Sequence, residues 1–346
     1  FQPMIIRFLQ FLILSTLVVL PGISYSQVQE EFRLENITSE YSRIEHGLSQ
    51  NSVNCLLQDK SGFLWIGTWS GLNRFDGYNV KILTRDYYYP EKSLTNASVY
   101  GLAEDSEGFI WAATTKGLNK INPKTFEITK YTTEEYGASG LINDSLTSVY
   151  YDSHGLLWLG TSQGAISMDP TTETFTPYQH NPRDSRTLSN RFVTCFEEDG
   201  ENLWIGTRNG LNCLVRKTGQ ILSYYGDAKS GQLSSSYITA LDLCNDGYIW
   251  VGTSNGINRL NIVDYYWFAP YYIIPQSFSE GASNPNFITS LHNDEGNDLW
   301  VGTQEFGLFL FDKNSKEFNN ISNYTNDASI VNSNSILAIE EDKNGL

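Results

Sequence analysis

The stretch Gln58-Asp59-Lys60-Ser61-Gly62-Phe63-Leu64-Trp65-Ile66-Gly67-Thr68, followed after two residues by Gly71-Leu72, decides the fold because the chain keeps returning to it. Five further segments carry the same core: Ile110-Trp111-Ala112-Ala113-Thr114, Leu157-Trp158-Leu159-Gly160-Thr161, Leu203-Trp204-Ile205-Gly206-Thr207, Ile249-Trp250-Val251-Gly252-Thr253 and Leu299-Trp300-Val301-Gly302-Thr303. The Trp positions step by 46, 47, 46, 46 and 50 residues. After each Thr come a short polar turn, a Gly (71, 117, 164, 210, 256, 307) and an apolar residue. A period of this size is that of a radial repeat, roughly 40–50 residues to a four-stranded blade.

Upstream of each Trp runs a strand-like segment that aligns in columns. One column holds Val53, Val99, Leu146, Val193, Ile238, Ile288 and Ile336. Two places on stand small residues: Cys55, Gly101, Ser148, Cys195, Ala240, Ser290 and Ala338. Leu56, Leu102, Val149, Phe196, Leu241, Leu291 and Ile339 follow. Apolar residues on both faces mean burial on both sides. Small residues mark where neighbouring backbones crowd, and radial sheets crowd most at the axis. These runs are therefore inner strands, the Trp runs second strands, the runs after Gly third strands, and aromatic runs such as residues 78–83 outer strands. The Asp59-x-x-Gly62 turns, in which Asp bonds backbone amides, resemble sialidase Asp-box turns and are structural.

The expected fold is all-β: a β-propeller of four-stranded blades in a seven-bladed ring. The blades are 52–97, 98–144, 145–191, 192–236, 237–286 and 287–334, with a partial seventh at 335–346. The N-terminal segment 27–51 is expected to be poorly fixed, with a ring-closing outer strand near 41–44, since closure removes free edges. A closed six-bladed ring with 335–346 as a tail is the competing arrangement. All six repeat Trp residues are expected to be buried, each worth roughly 3–5 kcal/mol on truncation.

Composition narrows the function. Of 346 residues 40% are hydrophobic and 18% charged, so the chain forms a core. Aromatics reach 14% beside 28 Gly, which favours strands and turns. The formal charge of −16 argues against nucleic acid and anionic lipid as partners of this chain. Four Cys (55, 195, 213, 244) form no Cys-x-x-Cys pair and no Cys/His cluster with metal spacing. They are expected to be unpaired, Cys213 with Cys244 being the one pairing worth entertaining. No metal, cofactor or catalytic residue is expected. At the N-terminus Met4 reads as the start, Arg7 as a positive n-region and residues 8–20 as an apolar run. Pro21-Gly22 breaks it, and Ser24-Tyr25-Ser26 offers a cleavage site before Gln27. Residues 4–26 thus read as a secretory signal peptide, the run being short of the ~20 residues of a membrane span.

The repeated Asp-x-x-Gly-x-Leu-Trp-Ile-Gly-Thr segment, with Gly71-Leu72-Asn73-Arg74-Phe75-Asp76-Gly77-Tyr78 after it, resembles the regulator-propeller repeats of hybrid two-component sensors. So does His46-Gly47-Leu48-Ser49-Gln50-Asn51-Ser52-Val53. The resemblance covers residues 41–346. It implies a periplasmic sensor region from a Bacteroidetes-type bacterium, two seven-bladed propellers with a β-sandwich, then a membrane helix, a histidine kinase, a receiver and a DNA-binding domain. It also implies oligosaccharide sensing and control of polysaccharide-degradation genes. Kinase activity and membrane attachment would then belong to those later domains and not to this chain.

In a propeller the second–third turns and the outer-to-inner connections share one face. Turn residues vary there while the framework repeats, as on a binding surface. The candidate ligand residues are Trp69, Lys116, Gln163, Arg208, Asn209, Asn255, Gln304 and Glu305, with Tyr87 and Tyr88 of the first connection. Trp69 leads, since sugar C–H faces stack on aromatic rings and sugar edges need polar partners; a turn Trp packed on the next blade is the alternative. Tyr265-Tyr266-Trp267-Phe268, with Tyr271-Tyr272, reads as an inter-domain or homodimer interface. Two other classes stay open: a glycan-active hydrolase or lyase, whose sialidase-like form would need an Arg cluster, a Tyr nucleophile and an acid converging at the axis, and a protein-interaction scaffold.

Overall fold

The computed structural model describes residues 47–137, 140–226, 233–244, 247–273, 284–294, 298–321 and 334–341. All of them lie in one compact unit, Glu35–Leu346. The expectations for the signal segment 4–26, the strand near 41–44 and the turn at 342–345 fall outside the described residues.

Six four-stranded antiparallel meanders form a propeller. Blade one pairs Val53–Gln58, Leu64–Thr68, Gly71–Phe75 and Val80–Leu83 in chain order. The later inner strands are Val99–Glu104, Leu146–Tyr151, Val193–Glu198, Ile238–Cys244 and Ile288–Asn293. Two short helices, Pro90–Lys92 and Thr133–Tyr136, lie in connections between blades.

Each inner strand carries a one-residue register shift near its start, between Val53 and Cys55 in blade one. The bulge changes which side chains look which way. Val53 and Leu56 pack with Leu48, Leu64 and Ile66 on one face, while Cys55 and Leu57 turn with Trp65 toward blade two. The small column now has its reason. Each small residue stands directly opposite the Gly of the Trp-x-Gly-Thr segment: Cys55 opposite Gly67, Cys195 opposite Gly206. A Cβ on Gly67 would lie 2.4 Å from Cys55 Sγ and 2.9 Å from Val99 Cγ1 of the next blade. Blade two reverses the pair: Ala113 sits opposite Gly101, so the two positions together still hold one small side chain.

The Trp residues wedge consecutive sheets. Trp65 packs against Val99, Ile110 and Ala112 of blade two, and Trp250 against Leu299, Val301 and Phe311 of blade six. Five of the six are buried. Trp300 is only half-buried, a correction with a plain cause: among the described residues, 334–341 alone stand on its open side. The Asp turns do more than bond backbone. Trp65 Nε1 donates to Asp59 Oδ2 at 2.8 Å, and Trp111, Trp158 and Trp204 donate likewise to Asp105, Asp152 and Asp199 at 2.8, 2.7 and 2.9 Å.

Residues 335–341 take the inner position of a seventh blade without a strand ladder. Thr147 Oγ1 donates to Val193 O of the next blade at 2.7 Å, and the aligned Thr289 Oγ1 donates to Ile336 O. Ile336 N donates to Thr303 O at 3.0 Å, and His292 Nε2 lies 2.8 Å from Glu341 Oε2. On the far side Gln58 N donates to Glu340 Oε1 at 3.4 Å. The segment therefore stands between blades six and one. A cavity of about 400 Å³ separates it from the apolar face of blade one, lined by Leu48, Val53, Leu56, Leu64 and Ile66.

A further expectation changes. Residues 47–51 are fixed, not loose: Leu48 is buried, Ser49 N donates to Asn73 Oδ1 at 2.8 Å, and Asn73 Nδ2 donates to Ser49 Oγ at 3.0 Å. Thr95 with Asn119 and Ser234 with Asn258 repeat this bond in other blades. The aromatic run of blade five is half-buried at Trp267, Phe268, Tyr271 and Tyr272. Trp267 packs on Tyr224 of blade four at 5.6 Å and Tyr271 on Phe311 of blade six at 5.0 Å, leaving Tyr265 and Tyr266 exposed. All four cysteines are free thiols.

Candidate functional site

The second–third turns are rigid because each is tied twice. The repeat Thr donates its Oγ1 to the carbonyl of the following Gly, as Thr207 does to Gly210 O at 2.7 Å, while the same oxygen accepts the second turn residue's amide. Lys116, Gln163, Asn209 and Asn255 are held this way at 3.1, 2.9, 3.2 and 3.0 Å. In blades four to six the first turn residue is also pinned to the start of its own inner strand. Arg208 N donates to Phe192 O, Ser254 N to Tyr237 O and Gln304 N to Phe287 O, at 3.0, 2.9 and 3.1 Å. Backbone is thus fixed while side chains stay free: Lys116, Gln163, Arg208, Asn209, Gln304 and Glu305 are exposed, and Asn255 is half-buried.

Trp69 combines both readings made of it. Its ring meets Tyr100 of blade two edge-on at 5.9 Å, Ser98 Oγ donates to its carbonyl at 3.0 Å, and 53% of it stays exposed. Tyr87 and Tyr88 are 84% and 92% exposed, on a connection turned by Asp86, whose Oδ1 accepts Tyr88 N at 2.8 Å. Tyr87 stacks only on Arg85, at 5.7 Å, and no ring contact joins either tyrosine to Trp69 among the described residues.

Sequence reasoning missed the aromatic residues nearest the turns. The position just before each inner-strand apolar column holds Ser in blades one to three but Phe192, Tyr237 and Phe287 in blades four to six. The Arg208 guanidinium lies 3.6 Å from the Phe192 ring centroid and 5.8 Å from that of Tyr237, and Tyr237 meets Phe287 edge-on at 5.8 Å. Blades four to six thus carry an aromatic arc in which Tyr237 and Phe287 meet directly and Arg208 bridges Phe192 to Tyr237, on the face that also bears Asn209, Asn255, Gln304 and Glu305.

Two ionisable clusters lie elsewhere. Tyr150, Glu197, Asp242 and His292 stand directly opposite Trp158, Trp204, Trp250 and Trp300, where blades one and two have Leu57 and Ala103. Burial pushes the Glu197 carboxyl up to about 8, with the Asp242 charge adding to it, and burial lifts Asp242 to about 6. Such shifts mark functional candidates. Glu197 Oε1, however, already accepts Glu198 N at 3.1 Å and the Tyr150 hydroxyl at 3.4 Å, which commits it to linking blades three and four. In the second cluster Asp152, His154 and Glu198 converge as metal ligands would. Arg216 fills that centre, 2.9 Å from Asp152 Oδ2, 3.0 Å from Glu198 Oε2 and 2.6 Å from His154 Nδ1, so the donors fit the guanidinium in place of a metal.

Residues 47–70, 93–116, 140–163 and 187–209 match the family model described as two-component regulator propeller. Each match runs from the outer-to-inner connection through the inner and second strands to the candidate turn. A stretch of 36 residues is 61% identical to histidine kinase P4 of Formosa agariphila, covering 10% of this chain and 3% of that protein. In structure the chain is similar to the extracellular domain of a protein assigned as a hybrid two-component system of B. thetaiotaomicron, with TM-score 0.71, 23% identity and coverage of 88% of this chain and 38% of that one. The extracellular domain of a one-component system from the same organism gives TM-score 0.64 at 21% identity, over 85% of this chain and 38% of that one. The chain therefore spans well under half the length of these relatives, and at such identities the likeness shows the fold.

Proposed function

Because the chain carries two-component regulator propeller repeats, we propose that it is the extracytoplasmic ligand-sensing propeller of a signalling protein, and that it binds an oligosaccharide on the face of the second–third turns. The observation that carries this reading is the aromatic arc Phe192–Tyr237–Phe287 beside exposed Arg208, Asn209 and Gln304, all on doubly tied backbone. Saccharides need that combination: rings for their C–H faces and amide or guanidinium groups for their hydroxyls, preorganised so that little ordering accompanies binding. Trp69 with Tyr100 supplies a second platform on blades one and two. In this reading the chain recognises and does not transform its ligand, works in the periplasm, and passes the signal through kinase and regulator domains of its parent protein to polysaccharide-utilisation genes.

Titration of the purified chain with an oligosaccharide panel by calorimetry, with product analysis, tests the proposal. Binding without turnover supports it. Turnover favours a glycan-active hydrolase or lyase, and neither binding nor turnover favours a protein-interaction scaffold. Trp69→Ala or Tyr237→Ala should weaken binding by about 2 kcal/mol, the scale of a central aromatic anchor.

A further inference from the structure

Arg208 is the one charged residue at the first position of a second–third turn; the others are Trp69, Thr115, Ser162, Ser254 and Gln304. Its guanidinium is braced over two rings, at 3.6 Å from Phe192 and 5.8 Å from Tyr237. Its backbone is tied through its amide to Phe192 O at 3.0 Å. Arg74, Arg85, Arg186 and Arg216 direct their N–H groups at protein acceptors: Pro123 O, Thr95 O, Asp184, and Asp152 with Glu198. Arg259 also rests on rings, 4.2 Å from Phe268 and 4.5 Å from Tyr248, but its Nε is buried, whereas Arg208 is exposed. The Arg208 side chain is exposed and makes no hydrogen bond or ion pair among the described residues. Exposed Arg191, one residue before Phe192, brings a second positive charge to the same end of blade four.

We propose that Arg208, braced on Phe192 and Tyr237, is an anion-recognition subsite that selects a saccharide bearing a carboxylate or sulfate over its neutral counterpart; the inference rests on the saccharide-binding reading above. A guanidinium stacked by its face presents its N–H edge outward, the geometry that meets a planar or tetrahedral oxyanion through two parallel hydrogen bonds. Ring stacking has already restricted the long side chain, so less freedom is lost when the anion binds. The setting makes the local charge matter. A chain of net charge −16 repels anions at long range, so an acidic ligand requires a local positive site that a neutral one does not.

The test uses matched probes by calorimetry: tetragalacturonate against its methyl ester, and a sulfated galactan tetrasaccharide against its desulfated form. The acidic member of at least one pair should bind about tenfold or more tighter than its neutral partner, the scale of a hydrogen bond to a charged group. The pair that shows the difference tells carboxylate from sulfate. Arg208→Gln should abolish that ratio with an unchanged near-UV circular dichroism spectrum, and Arg208→Lys should keep only part of it. Neutral partners binding as tightly as acidic ones, or a ratio that survives Arg208→Gln, overturns the subsite and leaves the saccharide reading standing. No binding by any of the four probes or by the neutral panel overturns both.

Discussion

Replacing Asp105 by Ala tests the bond that anchors each wedge. The Asp105 carboxylate is buried and serves three donors: Glu107 N at 3.0 Å, Phe109 N at 2.9 Å and Trp111 Nε1 at 2.8 Å. Trp111 is fully buried, so its N–H finds no water once the carboxylate is gone; one such orphan costs about 1–3 kcal/mol. Glu107 is exposed and Phe109 half-buried, so their amides are partly rehydrated and lose about 0.5–1.5 kcal/mol each. The expected loss is about 2–6 kcal/mol. Asp105→Asn keeps an oxygen for the two amides but turns an NH₂ toward the indole N–H, and should lose about 1–3 kcal/mol. Denaturant unfolding with unchanged slope reads both values as midpoint shifts. A loss under 1 kcal/mol for Asp105→Ala, or wild-type stability for Asp105→Asn, refutes the reasoning. Blade five offers the reverse experiment. Cys244 occupies the aligned position and Trp250 Nε1 has no partner among the described residues, so Cys244→Asp should raise stability by about 1 kcal/mol.

Other perturbations follow from the same geometry. Gly206→Ala places a methyl 2.5 Å from Cys195 Sγ and 2.9 Å from Ile238 Cγ2 and should cost about 1–3 kcal/mol, whereas Cys195→Gly/Gly206→Ala, which copies Gly101 opposite Ala113, should recover most of it in unfolding titrations. Because Glu197 is lifted from 4.5 to about 8 in the folded chain, its contribution is full below pH 4.5 and is lost as pH rises toward 8, where the unfolded chain ionises first. That span corresponds to at most about 5 kcal/mol. Thermal melts of Glu197→Gln should therefore show a flatter decline between pH 5 and pH 8 than wild type, and parallel declines would defeat the assignment. Burial pushes the thiols of Cys55, Cys195 and Cys213 up to about 12, so alkylation at pH 8 should spare them in the native chain and label them only after unfolding, as counted by mass.

The framework was readable because a propeller repeats its physical problem six times. A Trp that must fill the space between sheets, a Gly that must let the next blade approach, and a Thr that must close a turn recur at fixed spacing, and each column admits few residue types. Within the Gly column alone, Ala113 is an exception. Its meaning lies across the ladder, in Gly101, and only the register pairs the two. The facing of the inner strands was likewise hidden. Simple alternation puts Val53, Cys55 and Leu57 on one side, but the bulge sends Val53 one way and Cys55 and Leu57 the other.

The candidate site was less readable, for a reason built into how repeats are read. Alignment of blades rewards positions where all agree, whereas a binding face is made where they differ. The position before the inner strand is Ser52, Ser98 and Ser145 in three blades, so as a column it looks like turn chemistry. Phe192, Tyr237 and Phe287 then pass as scatter, although they are consecutive around the ring and therefore adjacent in space, with Tyr237 and Phe287 in ring contact. Trp69 stands out because it is large and out of column; its partner Tyr100 does not, because it lies within an inner strand where Asn54 and Thr147 hold the aligned places. In a radial fold, neighbours in the column order are neighbours in the structure. A run of aromatic residues in consecutive blades at one aligned position is thus itself a spatial cluster, and Arg208 gains its meaning from lying across two members of that run.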